Sequence, residues 1–402
     1  MKDKVEVRTL RTIQEIEQIR SVWQSWPGNP DSDLDMFLCY LNDSPEVERV
    51  HVVMIVRNDE PETILVGRLE KVRLDFKVGY IHVRPSAKLL YFVYGGPRGN
   101  ASRENCVLLI EEVCRSLSRG EADAAYLNFI RMDSALHHAA RTTPGRLCRD
   151  YTSVVQPHFT TALVGGIEGF RKTLSSKSRN TIKRRARQLV RSFGDEINLR
   201  CFREAADVDE LVEDVEDVAK KSYQRGLSVG FVDTPGMRSH LRLKAEKGRL
   251  RAYVLYIRNR PCAFWIGNIN GSVFCSDFLA YDAEFAAHSV GTYLMMQVVE
   301  GLCSDPAEAV KEIDFATGNA QYKAVLGNRM FTEASVYAFA PSVKGLQLSL
   351  LRFVTAGIEN IAKRTLIQTG LLQRIKTTWR KRARAKSGDE AGLQHAESAE
   401  VV

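Results

Sequence analysis

The sequence predicts a mixed α/β protein of two tandem domains, each a mixed central sheet flanked by helices, with an amphipathic helical extension towards the C-terminus. Three observations lead there. At 402 residues the chain exceeds one ordinary domain, and its 44% hydrophobic and 26% charged residues are those of a globular protein. Short apolar runs are joined by single helices and followed by further runs, without the strict alternation of a doubly wound sheet. The order of elements in the first half recurs in the second.

The first half opens with an amphipathic helical pattern at about 12–25, followed by strand-like runs at His51–Val56, Ile64–Leu69 and Leu89–Tyr94. A helical run, Glu104–Leu117, precedes strands near Tyr126–Ile130 and Phe159–Val164. In the second half an acidic helix near Val208–Tyr223 leads to strands Leu250–Ile257, Ala263–Ile269 and Val273–Ala280, then a helix over Val290–Leu302. Strands Glu312–Ala316 and Glu333–Phe339 close that set. The first hairpin loops also correspond, VRNDEPE in one half and IRNRPC in the other, both reading as turns on Asn and Pro. The expected boundaries are 1–165 for the first domain, 166–200 for a basic connecting helix and 201–345 for the second domain. An amphipathic basic extension over 346–386 and a small, polar, disordered tail over 387–402 follow.

Charge is concentrated rather than spread. The net charge is +8, yet 171–191 hold nine Lys/Arg and 374–386 hold seven, neither segment carrying an acid, so the rest of the chain stands at −8. Localised cations suit phosphate-bearing ligands, nucleic acid or anionic lipid. In the first segment Ile182, Ala186, Leu189, Val190 and Phe193 share one helical face and leave Lys183, Arg184, Arg185, Arg187 and Arg191 on the others. The helix after it is acidic around an apolar stripe, and the two oppositely charged helices are expected near one another. In the second segment a Trp and apolar residues accompany the cations, the pattern of an interfacial helix on anionic head groups or of packing on the second domain.

Eight scattered cysteines include no CxxC pair, which argues against a zinc ribbon or redox motif and for thiols in a reducing compartment. The opening residues MKDKVEVRTLRTIQEIEQ are charged throughout and no run approaches the roughly 20 apolar residues of a spanning helix. The expectation is a cytoplasmic protein, peripheral at the inner face of the membrane if the basic extension binds lipid.

Chemistry concentrates in the second half. In AAHSVGTYL a small-residue turn leads into a helix, whose free N–H groups attract phosphate; Gly291 allows close approach and Ser289 or Thr292 adds a hydroxyl. In the preceding strand, alternation puts Val273, Cys275, Asp277 and Leu279 on one face, and a carboxylate there needs a partner, a ligand or a raised pKa. In EIDFATGNAQYKAVLG a Thr317–Gly318 turn precedes a short helix carrying Tyr322, a potential proton donor, and Lys323, which suits a phosphate or carboxylate.

Together, SSKSRNTIKRRARQL, HSVGTYLMMQVVE and DFATGNAQYKAVLGNR resemble the GNAT-type acyltransferases, more specifically the CelD-like branch associated with bacterial cellulose and exopolysaccharide production. The resemblance covers about 150–345, and the first half is similar to the degenerate companion repeat of tandem-GNAT proteins such as the Fem-type aminoacyltransferases and N-myristoyltransferases. It implies a V-shaped opening between two central strands for the pantetheine arm of an acyl-CoA, acetyl-CoA foremost, without a metal. Pyrophosphate would sit on Ser289, Val290, Gly291 and Thr292, Asp277 would be the general base, Tyr322 the acid, and Lys323 with Asn319 would bind the acceptor. The family's Q/R-x-x-G-x-G/A loop is represented by Gly291 alone. The implied activity is acyl transfer to a sugar or glycolipid amine or hydroxyl in envelope or exopolysaccharide synthesis. Two alternatives stand beside it: a Fem-type transferase using aminoacyl-tRNA, the one reading with a nucleic-acid partner, and a non-catalytic scaffold docked on a membrane or synthase complex.

Overall fold

The computed structural model describes residues 4–78, 81–227, 229–305 and 308–368. The expected basic cluster at 374–386 and the tail from 387 lie outside them. In chain order the first stretch runs β1 (Val5–Leu10), α1 (Ile13–Gln18), α2 (Arg20–Ser25), α3 (Leu34–Asp43), β2 (Val47–Val50), β3 (Val52–Arg57), β4 (Glu60–Leu65), β5 (Gly67–Arg73), β6 (Phe76–Val78), β7 (Ile81–Val83), β8 (Ser86–Phe92), β9 (Arg98–Gly99), α4 (Arg103–Ser118), β10 (Ala124–Arg131) and α5 (Ala135–Thr142). There follow β11 (Val154–Ala162), α6 (Gly166–Thr173), α7 (Ser176–Phe193), β12 (Ile197–Phe202), α8 (Val208–Lys220), α9 (Pro235–Glu246), β13 (Leu250–Ile257), β14 (Arg260–Asn270), β15 (Val273–Tyr281), α10 (Val290–Ser304), β16 (Glu312–Thr317), α11 (Gln321–Leu326), β17 (Arg329–Phe339) and α12 (Val343–Gln368). No helix among the described residues is long and apolar enough to cross a membrane.

The chain divides into two compact units, and the division is discontinuous: Met1–Pro157 with Phe331–Gly370, and His158–Met330. The boundaries expected at 165 and 345 therefore move. The run expected to close the second domain, Glu333–Phe339, pairs antiparallel with β10 of the first unit, from Ala124 opposite Phe339 to Arg131 opposite Glu333. The run expected to close the first, in β11, pairs from His158 to Ala162 with β16 of the second. The basic helix α7 belongs to the second unit instead of connecting the two.

The repeated order is present in the backbone. The first unit runs β1-β3-β4, then β5-β8-β10 with the last residues of β17, β4 and β5 being one run broken at Val66; the second runs β12-β13-β14-β15-β16-β11. Each has a single parallel pair in that order, β8 with β10 and β15 with β16. The corresponding hairpins share finer detail. Asn58–Asp59 and Arg258–Asn259 both have positive φ, 52° and 67° against 55° and 59°, as a two-residue hairpin turn requires. Each hairpin then shifts register at a proline, Pro61 opposite Val56 and Pro261 opposite Tyr256, where a missing N–H is tolerated. The prolines thus mark bulges, and the turns rest on the residues before them.

In the second unit alternation along β13 explains the layering. Ala252, Val254 and Tyr256 meet α8, whose Val208, Leu211, Val212, Val215 and Val218 are buried. Tyr253, Leu255 and Ile257 meet α10 on the opposite face. The acids of α8 pair with Arg200, Arg225, Arg238 and Arg242, so among the described residues its charge is met by these arginines and not by α7.

Candidate active site

Strands β15 and β16 pair only at Val273–Glu312, Phe274–Ile313 and Cys275–Asp314. Beyond these the two strands part, which opens a cleft at their C-terminal ends. Two cavities occupy it, of 360 and 280 Å³, sharing Gln224, Leu279 and Tyr322 in their walls.

The larger cavity is closed at one end by the start of α10. Ser289, in left-handed conformation (φ 56°, ψ 35°), turns the chain from a 3-10 turn (Ala283–His288) into the helix. Its carbonyl accepts from the N–H of Thr292 and Tyr293, both at 3.1 Å. The N–H groups of Val290 and Gly291 precede these and find no acceptor among the described residues, so the positive end of a 15-residue helix faces the cavity. Ser289, Val290, Gly291 and Thr292 all line it. The reason for glycine at 291 differs from expectation: a Cβ there would come 3.1 Å from the Tyr281 ring, so close helix–strand packing constrains the position.

Arg185 of α7, Tyr223, Gln224 and Tyr281 complete the wall and were not singled out from the sequence. Helix α7 reaches the cavity because Phe193 at its C-terminal end packs edge-on against His288, ring centroids 4.9 Å apart, in the turn before α10. Gln224 donates from Nε2 to the Leu279 carbonyl at 2.9 Å, tying the segment after α8 to β15.

The smaller cavity holds Asp277, Tyr322 and Lys323. Tyr322 is largely buried with its ring edge-on to Phe315, and burial, with Tyr223 nearby, pushes its phenol above the ordinary range. Burial lowers the Lys323 ammonium to about 8, Asp314 offsetting part of the fall. Lys323 donates to the carbonyls of Thr317 at 2.6 Å and Ala316 at 3.3 Å. Ala316 has φ 59°, a strained value for a residue with a Cβ, and its N–H donates to Asp314 Oδ1 at 2.7 Å. The same oxygen lies 2.7 Å from Nε2 of the buried His158.

Two expected residues are placed differently. A register shift between Ile266 and Gly267 leaves Asp277 as the extra residue of a bulge in β15, which breaks the predicted alternation. Its carboxylate accepts from Lys244 Nζ at 2.8 Å and from Asn268 Nδ2 at 3.2 Å. Asn319 is exposed and lines neither cavity.

The equivalent helix start in the first unit is closed by its own residues. Ser102 caps α4 by accepting from Asn105 N–H at 3.2 Å, and Asn100 accepts from Ser102 N–H at 3.2 Å. The buried Arg98 fastens the glycine-containing loop to Trp26 and Ser32.

Residues 176–324, the stretch from α7 to α11, match the family model described as acetyltransferase (GNAT) domain. The matched stretch is 149 of the chain's 402 residues. The cleft between the parting strands, the start of α10 and Tyr322 all lie within it. No curated protein matches the chain in sequence. Among solved structures, FemX is similar at 11% identity and TM-score 0.52, over 82% of this chain and 96% of that one, which is a likeness of fold. A tandem GNAT protein from the clavulanic acid biosynthesis pathway aligns at 11% identity and TM-score 0.46, over 84% of this chain and 99% of that one. L-PGS from Bacillus licheniformis aligns at 14% identity and TM-score 0.45, over 84% and 96%.

Proposed function

We propose that the GNAT domain is an acyl-CoA-dependent N- or O-acyltransferase, with acetyl-CoA the first donor to test and a sugar or glycolipid as acceptor in envelope or exopolysaccharide synthesis. The observation that carries the reaction class is the pair of adjacent cavities sharing Gln224, Leu279 and Tyr322, with a helix N-terminus in the wall of one and a half-buried lysine in the wall of the other. Sugar and pathway rest on the CelD-like motifs of the sequence.

The residues at the larger cavity fit a phosphate-bearing donor: the Val290 and Gly291 N–H groups and the Arg185 guanidinium would hold its pyrophosphate. When bound, the donor supplies an acyl group activated as a thioester. The cleft orients the acceptor amine or hydroxyl towards it, and alignment alone supplies several kcal/mol. Lys323, as a neutral amine, donates its two protons to the carbonyls of Ala316 and Thr317 and keeps its lone pair for the acceptor's proton. Tyr322 gives its phenolic proton to the departing sulfur. Lys323 suits the base better than Asp277, whose carboxylate is held by Lys244 and Asn268.

The test is a thermal-shift titration with coenzyme A and acetyl-CoA at moderate salt, which screens nonspecific attraction to α7. At one hundred times the dissociation constant linkage gives about 2.7 kcal/mol, a shift of a few degrees. Gly291→Glu should abolish it, and a wild-type protein with no shift counts against the donor assignment. A second reading, aminoacyl-tRNA-dependent transfer, is favoured by a 650 Å³ groove on the other side of α7 lined by Lys172, Arg179, Lys183 and Arg187. RNA affinity falling steeply with salt, together with amino-acid transfer, would establish that reading instead.

A further inference from the structure

The cleft opens where one carboxylate stands. Pairing of β15 with β16 ends at Cys275 opposite Asp314, and Asp314 then bends its own strand. Its Oδ1 accepts the N–H of Ala316 at 2.7 Å, which holds Ala316 in a left-handed conformation foreign to a strand. A second donor reaches the same oxygen from the neighbouring strand: Nε2 of His158 in β11, 2.7 Å away, on a residue 1% exposed. An ionised carboxylate only accepts, so Nε2 of His158 carries the proton of this hydrogen bond. The bend turns the carbonyls of Ala316 and Thr317 onto Lys323 Nζ, at 3.3 and 2.6 Å. Farther along β11, Thr161 donates to the Leu326 carbonyl and accepts from the N–H of Asn328 at 3.1 Å, so the same strand grips the far end of α11.

Stability alone does not call for such a pair. Desolvating a carboxylate and an imidazole costs free energy, and apolar side chains of similar volume would tie β11 to β16 at least as well. Among the described residues no carboxylate forms a hydrogen bond with Lys323, so Asp314 acts on it through space and through the bend it makes. The other ionisable groups around that amine are engaged or neutral. Asp277 of β15 is held by Lys244, and the Tyr322 phenol of α11, with Tyr223 near it, keeps its proton. We propose that His158 and Asp314 are positioning residues for Lys323: together they fix the bend at Ala316, which aims two carbonyls at the amine and leaves its lone pair to the cleft. This rests on the reading of Lys323 as the base. His158 precedes the stretch 176–324 that matches the acetyltransferase model, so the group that steadies the site comes from outside that stretch.

The test reads Lys323 directly: trace labelling of the full chain with acetic anhydride as pH is raised, followed by peptide mass spectrometry. In the wild type, half-maximal labelling of Lys323 is expected near pH 8. Asp314→Asn keeps an oxygen for both donors and removes the charge, so this midpoint should fall by about one pH unit. His158→Leu loosens the bend and lets water reach the amine, so the midpoint should rise by about one unit or more, towards the 10.5 of an ordinary lysine. His158→Gln, which keeps an N–H for Asp314, should return it to the wild-type position. A purely structural pair would leave the midpoint unmoved in every variant, and that result overturns the proposal. So does a wild-type midpoint equal to that of an ordinary lysine, or a Gln variant displaced as far as the Leu one. Should His158→Leu fail to fold, Asp314→Asn decides alone: a fall supports the proposal, and no change or a rise overturns it. Labelling needs neither donor nor acceptor, so its outcome is separate from that of the acyl-transfer reading, which fails if coenzyme A gives the wild type no thermal shift.

Discussion

Lys323 carries the sharpest consequence at the scale of single residues. Its ammonium titrates near 8 in the folded chain against 10.5 when unfolded, because burial disfavours the charge. Between those values the unfolded state binds more protons, so stability attributable to Lys323 is lowest below pH 8 and rises towards pH 10.5. Denaturant titrations should show the wild type gaining on Lys323→Met by up to roughly 3 kcal/mol across that window. If the neutral amine is the base, kcat/KM climbs to a plateau above about pH 8, and Lys323→Met lowers turnover and removes the step. Tyr322→Phe should cost roughly a hundredfold in turnover while leaving donor-induced thermal shifts intact; unchanged turnover would remove Tyr322 from the reaction. Ala316, strained at φ 59° and holding Lys323 through its carbonyl, belongs to the same construction. Ala316→Gly is expected to stabilise the fold by about 1 kcal/mol in the same titrations.

At the scale of elements, two positions of α7 have different duties: Phe193, its last residue, anchors it on His288, and Arg185, at its middle, lines the cavity at the start of α10. Arg185→Ala should weaken coenzyme A binding by about tenfold, and the deficit should shrink as salt rises, as measured by isothermal titration. That helix also shows the reach of sequence reading. Its amphipathic period was legible, and Leu189 is buried as predicted, but Val190 of the same predicted face is 47% exposed. Nine cations in 21 residues gave no means to choose Arg185, because selection depends on where the helix is fastened and not on its composition. The α10 turn was legible because the small residues of AAHSVG run straight into an apolar helical period. The short α9 and the break at Ile19 between α1 and α2 were not, lacking a strong apolar period. The bulge that re-aims Asp277 is a property of pairing with β14 and leaves no mark in the strand's own residues.

For the whole molecule, the repeated order of elements was readable, while the membership of the closing strands was not. An apolar run states that it will pair, and the partner is fixed by the sheet edge left open. Helix α12 is secured to the first unit by Arg352 on Asp150, which also accepts from the N–H of Tyr337 and Thr152, so the Arg352 pair is buried and fully hydrogen-bonded. Arg352→Leu strands that carboxylate and should cost about 3–5 kcal/mol in chemical unfolding, whereas breaking a solvent-exposed pair such as Lys4–Asp59 should leave the unfolding midpoint essentially unchanged.

The borrowed strand has a consequence in time. On the ribosome β10 is complete once Arg131 has been made, but its partners Glu333–Phe339 follow about 200 residues later. At roughly 5–20 residues per second the nascent first unit waits on the order of 10–40 s with one flank of β10 unpaired. An open strand edge is a template for the wrong neighbour, including the same strand on a trailing ribosome of the polysome. The protein's yield in a cell is thus tied to how that interval is guarded, and trigger-type chaperones acting on nascent chains should matter more to it than to a protein whose sheets close in sequence order.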